Sequence, residues 1–511
     1  MAALVYLMCA INGRVYAQSI NSERVKTHYL PKTDVNYKGT SGYIEDVPIS
    51  GYSWASDKAY EDFNDIKFGV RIHWGLYSII HQSHESWPFL RMSNAEKQAY
   101  VDMAKAWNPQ GFNAEAWMDF FKESGMKMFA FTTKHHEGFS MFDTKTRIKK
   151  RVRWDAPGGP VMEDCDLAYS IMESPFRRDI VKELCDAARE KDIKIDLYFS
   201  HTDWFDADFR PYGWHPLQIP SAGKIAARNK QLEPEGKAEK FGGSGPVMMP
   251  DPSPEEVDRM MNRHQAQLTE LLTNYGKIDM VCLDIWLGPS LWPRLRETMV
   301  ALRKIQPDVM FRARGIGNYG DYYTPEGFVP GSKENTSVPW FVIETLGRSF
   351  SYEPDAASHK GAKWVVDKII DCAAKGGNFM IGIGPDENGR FHPTAVEQLK
   401  QTGRWLKRYG EAIYATRPRE GQSWKENDFV KYTRSKDDKV VYAHCAKWPG
   451  EQLELNSIKA KESTKVYMLG YDEPLKWKRS ASGGMAIDTP EKLRIAIPEE
   501  EQLAYAFKIV L

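Results

Sequence analysis

Short apolar runs alternate with amphipathic helical patterns through the middle of the chain, and this alternation restricts the fold more than any other feature. Seven runs have the near-continuous apolar character of buried parallel strands; they cover residues 68–74, 127–134, 194–200, 278–284, 309–313, 340–344 and 378–383. The clearest helix between them begins at Ser253, where Pro254 and Glu256 complete the signature of a capped N-terminus. Alternating strands and helices imply a parallel sheet, and seven strands favour a (β/α)8-like barrel over an open sheet.

The pattern changes after about residue 418. Short alternating runs at 440–443, 465–468, 493–497 and 503–510 are separated by turn residues and predict a small antiparallel β-sandwich. We therefore expect a barrel domain over residues 18–420 and a separate β-sandwich over residues 421–511. The stretch 203–252 interrupts the strand–helix alternation. In a barrel, a long loop after a strand lies on the face that carries active sites.

Residues 2–11 form an apolar run that is too short to span a membrane. The tripeptide Val15-Tyr16-Ala17 resembles a small-residue cleavage site, so residues 1–17 are predicted to be a secretory signal peptide. The mature protein would then be secreted or periplasmic. No Lys or Arg precedes the run, and a buried or frayed N-terminal segment is the alternative. No later segment reaches 18 apolar residues, so no membrane span is expected.

Charge and motif content argue against several classes of function. Lys plus Arg and Asp plus Glu both number 69, whereas a nucleic-acid binder needs a basic excess. The six cysteines are scattered without a CxxC pair, so neither a zinc site nor a disulfide framework is indicated. No GxGxxG follows a strand and no GxxxxGK(S/T) occurs, so nothing points to a nucleotide cofactor. We expect no cofactor, and the sequence leaves the oligomeric state open.

Polar side chains follow the ends of the predicted strands and would converge on one pocket at the carboxyl end of a barrel. They are His73, Lys134, His135, His136, His201, Asp203, Asp284 and Arg314. Asp284 ends an apolar strand, where a carboxylate is costly to bury unless it is paired or used in chemistry. His135 and His136 would point in opposite directions along a strand, so at most one of them is expected to face the pocket. Glu326 lies in a loop, where a carboxylate is more often merely solvated.

Two carboxylates, several histidines and an aromatic-rich loop at a barrel mouth suggest glycoside hydrolysis. One carboxylate would attack the sugar or activate water, while the other would protonate the leaving oxygen. Separation in sequence cannot distinguish retention from inversion, because the distance between the two groups decides the outcome. A catalytically inactive sugar-binding relative is the alternative from another class. A metallohydrolase that uses His135 and His136 lacks convincing third and fourth ligands.

Several segments together resemble the motifs of glycoside hydrolase family 29, the α-L-fucosidase family. They are KFGVRIHWGLYS at 67–78, TKHHEGF at 133–139 (TKHHDGF in the family), RDIVKEL at 178–184 with LYFS at 197–200, TPE at 324–326, IGP at 383–385 and GEAIY at 410–414. The resemblance covers roughly residues 60–418, and the tail fits the family's C-terminal β-sandwich. The set of motifs is specific, although no single one would be.

The resemblance implies a retaining exo-glycosidase that needs no metal and acts on a terminal α-L-sugar of a carbohydrate. Asp284 matches the nucleophile that forms a covalent glycosyl intermediate, Glu326 matches the acid/base, and Arg314 would help to hold the charge of that site. Other matches are expected to bind or enclose the sugar: His73, Glu85, Trp87, His135, His136, Tyr198 and Phe350. The spacing around Glu85 and Trp87 departs from that of the family.

Three positions depart from the family's pattern near the sugar. Arg71 stands where the family has a Phe that helps to enclose the C6 methyl group of fucose, and Cys282 replaces a Trp of the same wall. Gly382 replaces an Asn. A cation beside a methyl group would be poorly paired, and L-galactose is L-fucose with a hydroxyl on C6. The changes favour an α-L-galactosyl glycone read by Arg71; alternatively, Arg71 turns away to pair with a carboxylate such as Glu85, and the chain is an ordinary α-L-fucosidase.

Overall fold

The computed structural model describes residues 28–81, 83–218, 249–331, 338–419 and 423–511. The predicted signal peptide and most of the predicted loop 203–252 lie outside these residues. In the part of the chain that is described, no helix has both the length and the apolar character needed to cross a membrane.

Parallel strands form the core of the larger part of the chain. The described strands between residues 68 and 383 are β1 (Phe68–Ile72), β2 (Met128–Lys134), β3 (Ile148–Arg153), β4 (Val161–Leu167), β5 (Lys194–Ser200), β6 (Met280–Asp284), β7 (Met310–Phe311), β8 (Phe341–Thr345) and β9 (Asn378–Ile383). Strands β3 and β4 form an antiparallel hairpin, and the others form one parallel sheet in the order β7-β6-β5-β2-β1-β9-β8. Every residue of β1, β2, β6 and β9 is buried, as expected for strands covered on both faces.

A short stretch, residues 321–327, closes this sheet into a barrel, and we call it the closing segment. On one side Tyr322 forms a parallel bridge to Arg312, which directly follows β7. On the other side Glu326 forms a parallel bridge to Ile343 of β8. The closing segment therefore occupies the place of an eighth strand, and the predicted (β/α)8-like barrel is confirmed.

Helices cover the outside of the barrel and precede its first strand. Their bounds are α1 (Val35–Thr40), α2 (Asp57–Asp65), α3 (Asn94–Asp102), α4 (Ala114–Glu123), α5 (Ile180–Glu190), α6 (Pro254–Thr273), α7 (Trp292–Ile305), α8 (Ala362–Ala374) and α9 (Pro393–Tyr409). The capping box predicted at the start of α6 is confirmed: the Ser253 hydroxyl accepts from the Glu256 amide, and the Glu256 carboxylate accepts from the Ser253 amide. These two bonds satisfy amides that the first turn of the helix would leave unpaired.

A buried ion pair fastens the closing segment to the helices. Asp321 has no exposed surface, and its Oδ2 accepts from Arg303 Nη2 at 2.6 Å and from the Phe311 amide at 2.8 Å. Its Oδ1 accepts from the Ala55 amide at 2.8 Å. Arg303 belongs to the last turn of α7. A carboxylate without access to water is stable only while such donors remain in place.

We expect Arg303→Met to lower the free energy of unfolding of the barrel by about 3 kcal/mol or more, because Asp321 would stay buried without its cation. Urea unfolding followed by tryptophan fluorescence would measure the change. The matched control is Arg294→Met on the same helix, whose guanidinium contacts Asp258 at the surface; its effect should be about 0.5 kcal/mol or less. Equal stability of the two variants would contradict the anchoring role of Arg303.

The C-terminal part is an antiparallel β-sandwich, as the sequence predicts. Its strands are β10 (Val430–Arg434), β11 (Val440–Cys445), β12 (Gln452–Leu455), β13 (Lys465–Met468), β14 (Trp477–Arg479), β15 (Met485–Asp488) and β16 (Tyr505–Val510). They form two sheets, β10-β11-β16-β13 and β12-β15-β14. Trp405 of α9 donates its Nε1–H to the carbonyl of Ala504 at 2.8 Å, which joins the β-sandwich to the helices of the barrel.

The predicted strand at residues 493–497 is wrong, because the short helix α10 (Glu491–Ile495) occupies this place. Leu493 and Ile497 are buried, whereas Ile495 between them is 69% exposed. Apolar residues four apart suit one face of a helix, and the alternation in the sequence concealed that spacing. Pro490 precedes the helix, at a position where its missing N–H costs nothing.

Candidate active site

Asp284 is the last residue of β6 and lies at the carboxyl end of the barrel. Its Oδ2 accepts a hydrogen bond at 2.6 Å from the hydroxyl of Tyr198 on the neighbouring strand β5. Its Oδ1 accepts from Arg314 Nη1 at 2.8 Å and from the Ile285 amide at 3.0 Å. Both oxygens are therefore fixed, although the side chain keeps some exposure at the barrel mouth.

Glu326, on the closing segment, is joined to Asp284 through two guanidinium groups. Arg314 Nη2 donates to Glu326 Oε1 at 2.7 Å, while Nη1 of the same group holds Asp284. Arg312 Nη2 donates to the same Glu326 oxygen at 2.9 Å, and Arg312 Nη1 lies 3.7 Å from Asp284 Oδ1. The side chain of Glu326 is 42% exposed, whereas that of Asp284 is 12% exposed. The two arginines lie between the open carboxylate of Glu326 and the more enclosed carboxylate of Asp284.

The arginines also set the charge of the carboxylates. Burial would raise the pKa of Asp284, but Arg314 and Arg312 together hold it well below its usual range. Burial also opposes ionisation of Glu326, yet the same two arginines lower its pKa. The negative charge of Asp284 acts in the opposite direction and raises the pKa of Glu326. Without substrate the pKa of each carboxylate therefore lies below its usual value.

Three imidazole rings lie near Asp284. His73 follows β1, and its ring centroid is 5.6 Å from that of His135. The centroids of His135 and His136 are only 4.0 Å apart, so the two rings lie side by side and do not point in opposite directions as strand alternation predicts. The physical reason is that β2 ends at Lys134, and strand alternation does not apply beyond it. Burial lowers the pKa of His73 and of His136 well below the usual value, so both rings are neutral at pH 7.

Hydroxyl groups orient two of these rings. His135 Nδ1 lies 2.5 Å from Ser86 Oγ, and His136 Nδ1 lies 2.6 Å from Ser200 Oγ. Because each Nδ1 is engaged, Nε2 is the nitrogen left for a ligand. The ring of Trp87 packs edge-on against His136, with centroids 4.8 Å apart. Trp87 therefore lies beside the imidazoles.

Glu85 is buried and holds a neighbouring loop. Its Oε1 accepts hydrogen bonds from the amides of Phe350 and Ser351 at 3.0 and 3.1 Å. It thereby fastens the loop that carries Phe350, whose ring centroid lies 5.1 Å from that of His73. A β-carbon added at Gly382 would collide with the Phe350 ring. The glycine that replaces the family's Asn thus makes room for this aromatic wall.

Arg71 and Cys282 lie together in the interior of the barrel. Arg71 is 2% exposed, and its Nη2 lies 2.7 Å from Cys282 Sγ. Arg312 Nη1 lies 3.3 Å from the same sulfur. Glu85 is held by the amides of Phe350 and Ser351, so the carboxylate that interacts with Arg71 is Asp196 and not Glu85. Burial raises the pKa of Asp196, which lies close to both arginines, to about 6, although Arg71 and Arg312 act in the opposite direction. We call Arg71, Asp196, Cys282 and Arg312 the polar floor.

Sequence reasoning missed four residues of this region: Ser86, Asp196, Ser200 and Arg312. Side chains two apart on a strand point to the same side, so the identification of Tyr198 on β5 could have led to Asp196 and Ser200. Ser86 and Arg312 lie outside the strands and carry no comparable pattern. Among the residues described, no group of three or more His, Cys, Asp or Glu side chains is arranged to hold a metal ion.

Comparison with known proteins points to one family. A sequence model of the α-L-fucosidase family matches residues 49–411, and a model of the α-L-fucosidase C-terminal domain matches residues 422–510. The plasma α-L-fucosidase of Pongo abelii is 27% identical over 447 residues, which cover 84% of this chain and 86% of that protein. The tissue α-L-fucosidase of Bos taurus is 28% identical over 464 residues, with 86% of each protein covered.

Solved structures share the fold. Alpha-L-fucosidase isoenzyme 1 from Paenibacillus thiaminolyticus has a TM-score of 0.69 at 22% identity, with 89% of this chain and 99% of that chain covered. A family 29 α-L-fucosidase from Bacteroides thetaiotaomicron, trapped as a covalent intermediate in complex with 2-fluoro-fucosyl fluoride, has a TM-score of 0.68 at 22% identity, with 91% and 99% covered.

The fold and the paired carboxylates at the carboxyl end of the strands place the chain in the class of (β/α)8-barrel glycoside hydrolases. The sequence matches extend over the barrel and the β-sandwich alike. The chain belongs to the α-L-fucosidase family, glycoside hydrolase family 29.

Proposed function

We propose that this enzyme releases terminal α-L-fucosyl residues from oligo- or polysaccharides with retention of the anomeric configuration. The observation that carries the proposal is the single guanidinium of Arg314 that joins Asp284 to Glu326. A retaining glycosidase needs one ionised carboxylate to attack the anomeric carbon and a second to exchange a proton with the leaving oxygen. The names of the relatives, all of them α-L-fucosidases, support the choice of sugar.

Asp284 is the nucleophile in this proposal. Arg314 and the Ile285 amide occupy Oδ1, whereas Oδ2 receives only the Tyr198 hydroxyl among the described residues and keeps a lone pair for the anomeric carbon. As that carbon bonds to Asp284, its bond to the leaving oxygen breaks and Glu326 gives this oxygen a proton. In the second step Glu326 takes a proton from water, the water oxygen bonds to the anomeric carbon, and Asp284 departs.

The surrounding side chains are suited to an uncharged, hydroxyl-rich sugar. The rings of His73, His135 and His136 can exchange hydrogen bonds with sugar hydroxyls through their ring nitrogens. Trp87 and Phe350 add aromatic surface on either side of the imidazoles, which suits the apolar face of a pyranose. The positive charge of Arg314 offsets part of the negative charge of the two carboxylates at the mouth of the pocket.

The configuration of the first product tests the proposal. During hydrolysis of 4-nitrophenyl α-L-fucoside, proton NMR should detect the α-anomer of L-fucose first, with the β-anomer growing only as the free sugar mutarotates. Initial formation of the β-anomer would contradict retention. Failure to release sugar from either the fucoside or the corresponding α-L-galactoside would contradict the substrate class, and would revive the reading of a sugar-binding relative.

A second glycone, α-L-galactosyl, is favoured by the polar floor. Arg71 and Cys282 occupy positions where the family pattern has aromatic walls for the C6 methyl group. The thiol of Cys282 is a weak acceptor for a guanidinium. A C6 hydroxyl directed toward the polar floor would offer Arg71 an oxygen acceptor, and a methyl group offers none.

We expect Arg71→Phe to shift the ratio of kcat/KM for 4-nitrophenyl α-L-galactoside over the fucoside toward the fucoside by about tenfold or more, because an apolar wall prefers the methyl group. Both constants are measured on one preparation, so a partly folded variant changes them equally and leaves the ratio intact. An unchanged ratio would show that Arg71 does not read C6 and would leave the fucosyl proposal standing alone.

We also propose that the enzyme is exported to the periplasm or the cell exterior after removal of residues 1–17. The name of one relative, the plasma α-L-fucosidase of Pongo abelii, supports export. The boundaries of the signal peptide, barrel domain and β-sandwich stay predictions. Analysis of the N-terminus of the exported protein by mass spectrometry would test the cleavage site after Ala17.

A further inference from the structure

The turn that follows Asp284 is strained and firmly held. Ile285 has a φ of 65°, a left-handed conformation that a β-branched residue rarely adopts. Its amide donates to Asp284 Oδ1, and its carbonyl approaches Gly315 so closely that a β-carbon there would collide with it. Strain of this kind persists only where surrounding contacts impose it, and it concentrates at functional sites. The path of the chain from Asp284 through Ile285 to Trp286 is therefore fixed.

The indole of Trp286 is half-buried, whereas its two neighbours in the sequence are buried. Ile285 and Leu287 are both turned into the protein. Because β6 ends at Asp284, Trp286 lies on the rim at the carboxyl end of the barrel. Glu326 reaches the same sector of the rim, since Arg314 joins it to Asp284.

One face of the Trp286 ring is covered by helix α1. A β-carbon at Gly39 would lie 3.4 Å from each of three ring atoms, Cε2, Cζ2 and Cη2, so the backbone of Gly39 lies over the six-membered ring. The N-terminal segment that contains α1 is held on the barrel through Asn318. Its Oδ1 accepts from the Leu30 amide at 3.0 Å, and its Nδ2 donates to the Asp46 carbonyl at 2.8 Å. The indole is thus supported from behind.

The polar edge of this indole is unused. Within the described part of the chain no hydrogen bond involves Trp286 Nε1, whereas the indoles of Trp54, Trp74 and Trp204 each donate to a backbone carbonyl. A supported indole with open surface and an available N–H suits a pyranose, because the C–H face of the sugar packs on the ring and a hydroxyl accepts from the nitrogen.

We propose that Trp286 is the binding platform for the leaving group, namely the sugar ring attached to the glycone through the scissile bond. The inference rests on the proposed function, because it takes Asp284 and Glu326 as the groups that flank that bond. The strained turn at Ile285 then has a role: it connects the nucleophile and the platform by one rigid residue. A substrate without a sugar leaving group does not use the platform.

The test compares α-L-fucosyl fluoride, whose leaving group is a single atom, with the α-1,2-, α-1,3- or α-1,4-linked fucosyl disaccharide that the wild type cleaves fastest. Trp286→Ala should lower kcat/KM for the disaccharide by about tenfold or more and leave the fluoride within about twofold. Trp286→Phe keeps an aromatic face and should recover most of the loss. The matched control is Trp424→Ala, whose indole lies against Lys375 near the C-terminal β-sandwich and should affect neither substrate.

An equal loss on both substrates would overturn the proposal, because it would assign Trp286 a structural role. No loss on the disaccharide would overturn it as well. If the wild type fails to hydrolyse even the fluoride, the proposed function itself has failed, and this result is separate from any comparison between variants.

Discussion

Asp284→Asn is expected to lower kcat for 4-nitrophenyl α-L-fucoside by on the order of 10³-fold or more, since an amide cannot form the glycosyl ester. The amide still accepts hydrogen bonds, so the fold should be retained. Asp279→Asn is the matched control: it makes the same change directly before β6, where the carboxylate accepts the Ile195 amide at 2.9 Å and pairs with Lys194 and Lys277. It should leave kcat within about twofold.

Chemical rescue gives this prediction a second readout. Asp284→Gly opens space for azide, which would attack the anomeric carbon from the vacated side and yield β-L-fucosyl azide, the inverted product. In the wild type, 2-fluoro-fucosyl fluoride should add a sugar to the peptide that contains Asp284. A label on any other carboxylate, or full activity of Asp284→Asn, would contradict the assignment.

Glu326→Ala is expected to show a loss that depends on the leaving group. For disaccharides, whose leaving oxygen needs a proton, kcat/KM should fall by about 10²- to 10⁴-fold. For 2-chloro-4-nitrophenyl α-L-fucoside, whose leaving group departs as an anion, glycosylation should be nearly unaffected. The pH dependence follows from the same role: the wild type needs protonated Glu326, so its activity on disaccharides should fall as pH rises through that pKa, and the variant should lack this limb.

The azide product distinguishes Glu326 from the nucleophile. In Glu326→Ala the ester on Asp284 still forms, and azide needs no general base, so α-L-fucosyl azide with retained configuration is expected. Glu344→Ala is the matched control, because Glu344 lies on the neighbouring strand β8 and its carboxylate faces outward to Lys368 at 2.5 Å. A uniform loss on all leaving groups in Glu326→Ala would indicate a role other than proton transfer.

The main strands could be predicted from the sequence, but the closing segment could not. The strands read as continuous apolar runs because both of their faces are buried. The closing segment contains Asp321, Thr324 and Glu326, and Pro325 removes a backbone donor. It holds its place in the barrel through long-range contacts such as the ion pair of Asp321 with Arg303, which no local pattern records.

The candidate site likewise contains residues that the sequence could identify and residues that it could not. Asp284 and Arg314 could be identified because they follow the ends of strands, where a barrel gathers its functional groups. Glu326 was found only through the family resemblance, since a loop carboxylate has no distinctive pattern of its own. The polar floor required knowledge of register: Arg71 on β1, Cys282 on β6 and Arg312 after β7 are far apart in the sequence, and the two arginines meet at the Cys282 sulfur only in the folded barrel.

The guanidinium that joins the two carboxylates makes the chemistry of one depend on the charge of the other. In the resting enzyme the anion of Asp284 raises the pKa of Glu326 and so offsets part of the lowering by Arg314 and Arg312. Once Asp284 is esterified that anion is gone, while Arg312 and Arg314 still face Glu326. Its proton is then held less tightly, and the same side chain becomes a base when water must be activated. The catalytic cycle would thus reset its own acid, with no movement of the backbone.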